Sequence, residues 1–224
     1  MMNAGMLLRG SGMVVILTVV LLLIAGRVSY WQAWVFGAAN CMLVLALSFW
    51  LSDQVDLIRN RMKPGPATKG WDRILMALFF PLALCVPVLA GLDAGRLAWS
   101  PHLHPAAYIA GYMAYVACAA LHIASIKVNM FYTSTVSIEP EKGHLVVDRG
   151  PYRFVRHPGY TGIIFMEAGI AVVLGSLWAL IPAGLVTLIL LIRTVLEDRA
   201  LRAELPGYDQ YVRRVRYRLL PGIW

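Results

Sequence analysis

The feature that most constrains this chain is a series of apolar runs near the length needed to cross a bilayer. They occupy residues 11–26, 31–51, 74–92, 106–126 and 161–192. A spanning helix takes about 20 mostly apolar residues to cross about 30 Å of hydrocarbon. The last run is too long for one crossing, since its 32 residues at about 1.5 Å each reach about 48 Å. Gly175-Ser176 offers a turn halfway, so the run is read as a helical hairpin. The expectation is an all-α integral membrane protein of six spans, or five if the last arm is partial, re-entrant or tilted. With 59% hydrophobic and 14% charged residues, against roughly a quarter charged in soluble domains, a water-soluble fold is excluded. Ser11 to Gly26 reads as a retained anchor rather than a cleaved signal.

Lys and Arg orient the spans. The loop from Ser52 to Arg73 holds Arg59, Arg61, Lys63, Lys69 and Arg73, and the segment from Lys127 to Arg156 holds Lys127, Lys142, Arg149, Arg153 and Arg156. Seven more lie from Arg193 onward, whereas the alternate loops carry only Arg27 and Arg96. Both termini and both basic loops are therefore expected on the cytoplasmic side. The net charge of +8 comes from these loop residues, which suits anionic lipid headgroups and not nucleic acid. Arg outnumbers Lys 16 to 4, which hints at a bacterial source and hence an inner membrane.

Two regions depart from the rhythm of apolar run and short connector. One is the polar stretch 127–160, longer than an idle connector needs to be. The other is the tail 196–224, where Leu201, Leu205, Tyr208, Tyr211 and Val212 alternate with Arg and Pro206-Gly207 interrupts the helix. This tail is expected as an amphipathic helix along the cytoplasmic membrane surface. Residues 1–126 then supply four spans, and 127–224 supply a functional loop, the hairpin and the tail, as one domain overall.

Chemistry concentrates in His144-Leu-Val-Val-Asp-Arg-Gly-Pro-Tyr-Arg-Phe-Val-Arg-His-Pro-Gly-Tyr160. Pro158 suits the first position of a helix, whose free N–H groups point back toward His157 and favour an anion. Tyr152, His157 and Tyr160 add hydrogen-bonding groups and aromatic surface for a sulfonium or a base. A basic juxtamembrane turn that meets lipid phosphates explains the same residues without chemistry. Arg193 and Glu197, four apart, share a helix face at the end of the last arm. They are either a simple ion pair or two ligands of a site built where the hairpin's ends meet.

The remaining candidates weigh less. Cys41, Cys85 and Cys118 are scattered through apolar runs and read as buried small side chains. His102 and His104 fall in an outer loop, His122 reads as a packed core histidine, and Gly10-Ser11-Gly12 lacks the strand of a dinucleotide fingerprint. No ligand spacing supports a metal. Trp31, Trp34, Trp99 and Trp178 lie near span ends as an interface belt.

The motif HLVVDRGPYRFVRHPGYTG, with Arg193, Glu197, Tyr208, Tyr211 and RLLPGIW, resembles the isoprenylcysteine carboxyl methyltransferase family, in a superfamily that includes phospholipid N-methyltransferases. The RHPxY core also recurs in membrane sterol reductases. The resemblance implies an S-adenosylmethionine pocket formed by His144, Leu145, Val146, Val147, Tyr152, His157, Pro158, Gly159, Tyr160 and Glu197. It implies that Arg193 contacts a lipophilic, isoprenylcysteine-like carboxylate. Ser137 is a departure, since animal members carry a cofactor-contacting glutamine there. The alternatives are a phospholipid amine N-methyltransferase, a sterol-reductase-like NADPH enzyme, and a non-catalytic membrane module.

Overall fold

The computed structural model describes residues 4–50 and 68–224. The expected basic residues Arg59, Arg61 and Lys63 lie outside the described residues. Among those described, the chain is all helix with no strand. α1 spans Ala4–Ala25, α2 Trp31–Trp50 and α3 Gly70–Ala90, which continues into a π-helical turn Gly91–Leu97. α4 spans Pro105–Val128, α5 Pro158–Val173, α6 Leu180–Glu204, and α7 Tyr208–Arg214. Five of these helices are long and apolar enough to cross a membrane. α5 is apolar but has 16 residues, about 24 Å at the helical rise.

The expected hairpin is present. Gly175 takes φ +80 at its turn, a conformation open to glycine without a Cβ penalty, and α5 and α6 run back along each other on either side. Pro182 falls in the first turn of α6, where its missing N–H breaks no helical bond. The turn is held from outside by Asp93 of the π-helical turn, whose carboxylate accepts from Ser176 Oγ at 2.5 Å and from the Ser100 N–H at 2.7 Å. Asp93 is fully buried, so these donors offset the cost of removing its charge from water. Trp99 and Trp178 pack edge to face at this end, centroids 6.3 Å apart, and both are about half exposed as an interface belt requires.

α4 and α5 pack at close range because glycines line their contact. A Cβ on Gly162 would lie 2.8 Å from the Cys118 carbonyl oxygen, and one on Gly111 would lie 2.9 Å from Val172. Small residues that let backbones approach are the usual basis of helix association in lipid. His122 uses this proximity, its Nδ1 lying 3.1 Å from the Gly159 carbonyl oxygen. It is the packed, hydrogen-bonded histidine the sequence suggests, and it fixes the start of α5. His104 caps α4, accepting from the Ala106 N–H.

The tail does more than lie along a surface. α7 is short and amphipathic, with Tyr208 and Tyr211 buried and Asp209, Gln210 and Arg213 exposed. Its buried face packs on Val136, Ile138 and Leu205, not on lipid. Beyond α7 the chain returns under the hairpin, where the Arg156 and His157 N–H groups donate to the Tyr217 and Arg218 carbonyls. Leu219 then packs against Val186, Leu190 and Tyr160. The reason is energetic: Tyr208 and Tyr211 find polar partners and apolar contacts inside, whereas a membrane surface satisfies only one end of each ring.

Candidate active site

The hairpin geometry brings α5's first turn and α6's last turns to the same end of the bundle, and the segment 129–157 folds across them. Between these elements lies a cleft that is open in part to solvent. His144, Leu145, Val146, Val147, Tyr152, His157, Gly159, Tyr160, Arg193 and Glu197 all line it. Of the candidate residues only Pro158 does not, being spent on starting α5. Asn129, Phe131, Tyr132, Ser137, Tyr208 and Tyr211 line it too.

Charged and aromatic groups are layered at its floor. The Tyr160 hydroxyl donates to the Glu197 carboxylate. The Tyr160 ring stacks on His157, 5° from parallel at 5.6 Å, and the Arg193 guanidinium lies over it at 5.1 Å. His157 lies between two carboxylates, with Nδ1 3.8 Å from Glu197 and Nε2 3.5 Å from Asp198. Glu197 itself is partly accessible, its side chain 20% exposed, so its carboxylate is available to a ligand's donors.

Arg193 and Glu197 do not form the simple ion pair that four-residue spacing allows. The Arg193 fork is bidentate on Asp72 of α3, Nε to Oδ1 at 2.8 Å and Nη2 to Oδ2 at 3.1 Å, and Nη2 also donates to the Ser134 carbonyl. The expected anion cradle at the start of α5 is largely closed. The Tyr160 and Thr161 N–H groups both donate to the His157 carbonyl, so two of the three N–H groups of the first turn are taken.

The upper wall is aromatic and neutral. His144 stacks on Phe131 at 4.5 Å and 21°, and burial lowers its pKa despite Glu197 and Glu139 nearby. Burial raises the phenols of Tyr132 and Tyr152 above their ordinary value, so both remain neutral donors. The Tyr152 hydroxyl accepts from Asn129 Nδ2, and its backbone carbonyl accepts from the Tyr211 hydroxyl.

Asp72, Tyr132 and Asp198 were not legible as site residues. Asp72 precedes the motif by more than seventy residues and has no motif of its own. Asp198 carried a usable signal: an acid beside Glu197 in an apolar helix needs a buried partner. Among the described residues no group of His, Cys, Asp or Glu is arranged for a metal.

Residues 110–203 match the model of the isoprenylcysteine carboxyl methyltransferase (ICMT) family. Over that segment, less than half of its length, the chain is similar to this family of methyltransferases. No curated protein matches the chain. The matched segment holds α5, nearly all of α6 and the loop that roofs the cleft, and so includes His144 to Tyr160, Arg193 and Glu197. It excludes Asp72, α7 and the returning tail.

Proposed function

We propose that this chain is an S-adenosylmethionine-dependent carboxyl O-methyltransferase acting on a lipophilic, isoprenylcysteine-like substrate. Its setting is a cell membrane, bacterial inner membrane by composition, with the cleft facing the cytoplasm. The observation that carries the reading is the convergence of the family-matched loop and helix end on one cleft with an accessible acid, Glu197, at its floor.

The residues present suit the cofactor. Glu197 accepts hydrogen bonds from ribose hydroxyls or an amino group, and the Phe131–His144 stack and the Tyr152 ring offer flat surface to a base or a sulfonium. Neutral His144 puts no repelling charge beside a cation. When bound, S-adenosylmethionine supplies an electrophilic methyl group whose transfer to a carboxylate needs no general base, because that nucleophile is already ionised. The chain's work is alignment and exclusion of water. Arg193, held rigid by Asp72, contributes a fixed positive charge that orients the acceptor carboxylate. The tail and α7 close the cleft from below through Tyr208 and Tyr211. A lipid-borne acceptor reaches this end of the bundle from the bilayer, between helices.

The test is incubation of detergent-purified protein with methyl-labelled S-adenosylmethionine and a panel of prenylcysteines, phospholipids and small carboxylates. The expected product releases its label as methanol in alkali, as an ester does. Label that survives alkali on a phosphatidylethanolamine headgroup would instead establish the amine N-methyltransferase. Binding of NADPH without S-adenosylmethionine would establish the reductase, and binding of neither would leave a non-catalytic module.

A further inference from the structure

We infer that Asp72 is a positioning residue: it holds the Arg193 guanidinium away from Glu197 and so keeps the Glu197 carboxylate open to the cofactor. The inference rests on the reading of the cleft as a cofactor site. It assigns a role to α3, which lies outside the family-matched segment.

An Arg and a Glu four residues apart on one helix face lie about 5–6 Å apart at Cβ and pair by default. In α6 the pair is split. Arg193 is buried at 5% exposure, and burial raises the demand of its charge for a counter-charge. Glu197 is one turn away, yet the fork closes on Asp72, which has no exposure at all. The aromatic ring of Tyr160 lies under the guanidinium while its hydroxyl is committed to Glu197. Asp72, Arg193, Tyr160 and Glu197 thus form a line in which the acid from α3 satisfies the arginine and the tyrosine separates it from the second acid.

Asp72 is itself fixed by the loop it helps to seat. Its Oδ2 accepts from the Val136 N–H at 2.6 Å. The Lys69 N–H donates to the Val136 carbonyl, and the Thr68 and Thr135 hydroxyls are 2.9 Å apart. The start of α3 is therefore zipped to residues 135–136, which line the cleft. Remove the charge of Asp72 and the strongest remaining anion within reach of Arg193 is Glu197. Pairing there would withdraw from the cleft the acid that a ligand needs.

The test is calorimetric titration of the detergent-purified full chain with S-adenosylhomocysteine, the unreactive product. Asp72→Asn keeps an acceptor for the Val136 N–H and removes the charge; its affinity should fall at least tenfold. The double variant Asp72→Asn/Arg193→Gln removes the competitor and leaves a neutral amide pair. Its affinity should return to within about threefold of wild type. That rescue is what a merely structural aspartate cannot give. Wild-type affinity in Asp72→Asn, or a double variant as weak as the single one, would overturn the positioning role. Failure of the wild-type protein itself to bind would instead overturn the cofactor reading, and the inference with it.

Discussion

Asp198 lies 3.0 Å from Arg156 Nε with both side chains buried, and this contact is the centre of a knot joining the loop, α6 and the tail. The same carboxylate accepts from the Tyr208 hydroxyl at 3.0 Å and from Arg218 Nε at 3.2 Å. Two segments separated by more than fifty residues are thereby fixed to one acid.

Asp198→Ala should destabilise the protein by about 3–5 kcal/mol, because Arg156 would be left as a buried charge with no counter-ion. The loss should be local first. Limited proteolysis should reach the Arg213–Arg214 region before the membrane helices unfold, since the returning tail loses its anchor. A thermal midpoint within a degree or two of wild type would show that the knot carries little energy.

Gly162→Ala should destabilise by about 1–3 kcal/mol through overpacking. The added Cβ would meet the Cys118 carbonyl oxygen at 2.8 Å and the His122 N at 3.0 Å, and backbone cannot swing aside. Because His122 holds the Gly159 carbonyl, a shift of α4 also moves the start of α5. Gly12→Ala, with nothing within 4 Å, is the control and should be neutral or slightly stabilising. Thermal unfolding of the two variants in the same detergent compares them, and equal effects would deny the close approach.

The sequence made the membrane helices legible because each apolar run is a local property, and it pointed to the candidate cleft because the motif from His144 to Tyr160 is contiguous and most of it lines that cleft. The hairpin at Gly175 likewise follows from length and a turn residue. Asp72 was illegible for a different reason: its role exists only once α3 is laid against α6, a non-local contact with no periodicity to announce it. The tail was half legible. Its alternation of Tyr and Leu with Arg identified an amphipathic element, but alternation cannot say whether the apolar face meets lipid or the cleft's own underside. The closed first turn of α5 is a similar case, since Pro158 announces a helix start while the partners of its N–H groups depend on the tertiary fold.

His144 gives a pH dependence with a definite sign. Burial lowers its pKa below the ordinary 6.5, so the folded loop favours the neutral ring. Its contribution to stability is fully present above about pH 6.5 and is lost as pH falls through the lower folded value. The thermal midpoint should therefore decline with acidification in that window. His144→Phe keeps a flat ring against Phe131 and should flatten that part of the profile. An unchanged slope in this variant would assign the acid sensitivity to other groups.

Glu197 and Arg193 should respond differently to conservative change, because the structure gives them different partners. Glu197→Gln retains the shape of the side chain and loses the charge that faces the cleft. Affinity for S-adenosylmethionine should fall by about 1.5–3 kcal/mol, the worth of a hydrogen bond to a charged group. Tyr160→Phe removes only the hydroxyl that donates to Glu197 and keeps the ring beneath Arg193, so its loss should be smaller, about 1 kcal/mol. Arg193→Lys keeps a positive charge beside Asp72 but cannot fork onto both of its oxygens. Cofactor affinity should survive in that variant while turnover of a carboxylate acceptor drops, a split that titration and steady-state kinetics read separately. Equal, small losses from Glu197→Gln and Arg193→Lys in both assays would mean that neither residue meets a ligand, and the cleft's floor would then be a structural element only.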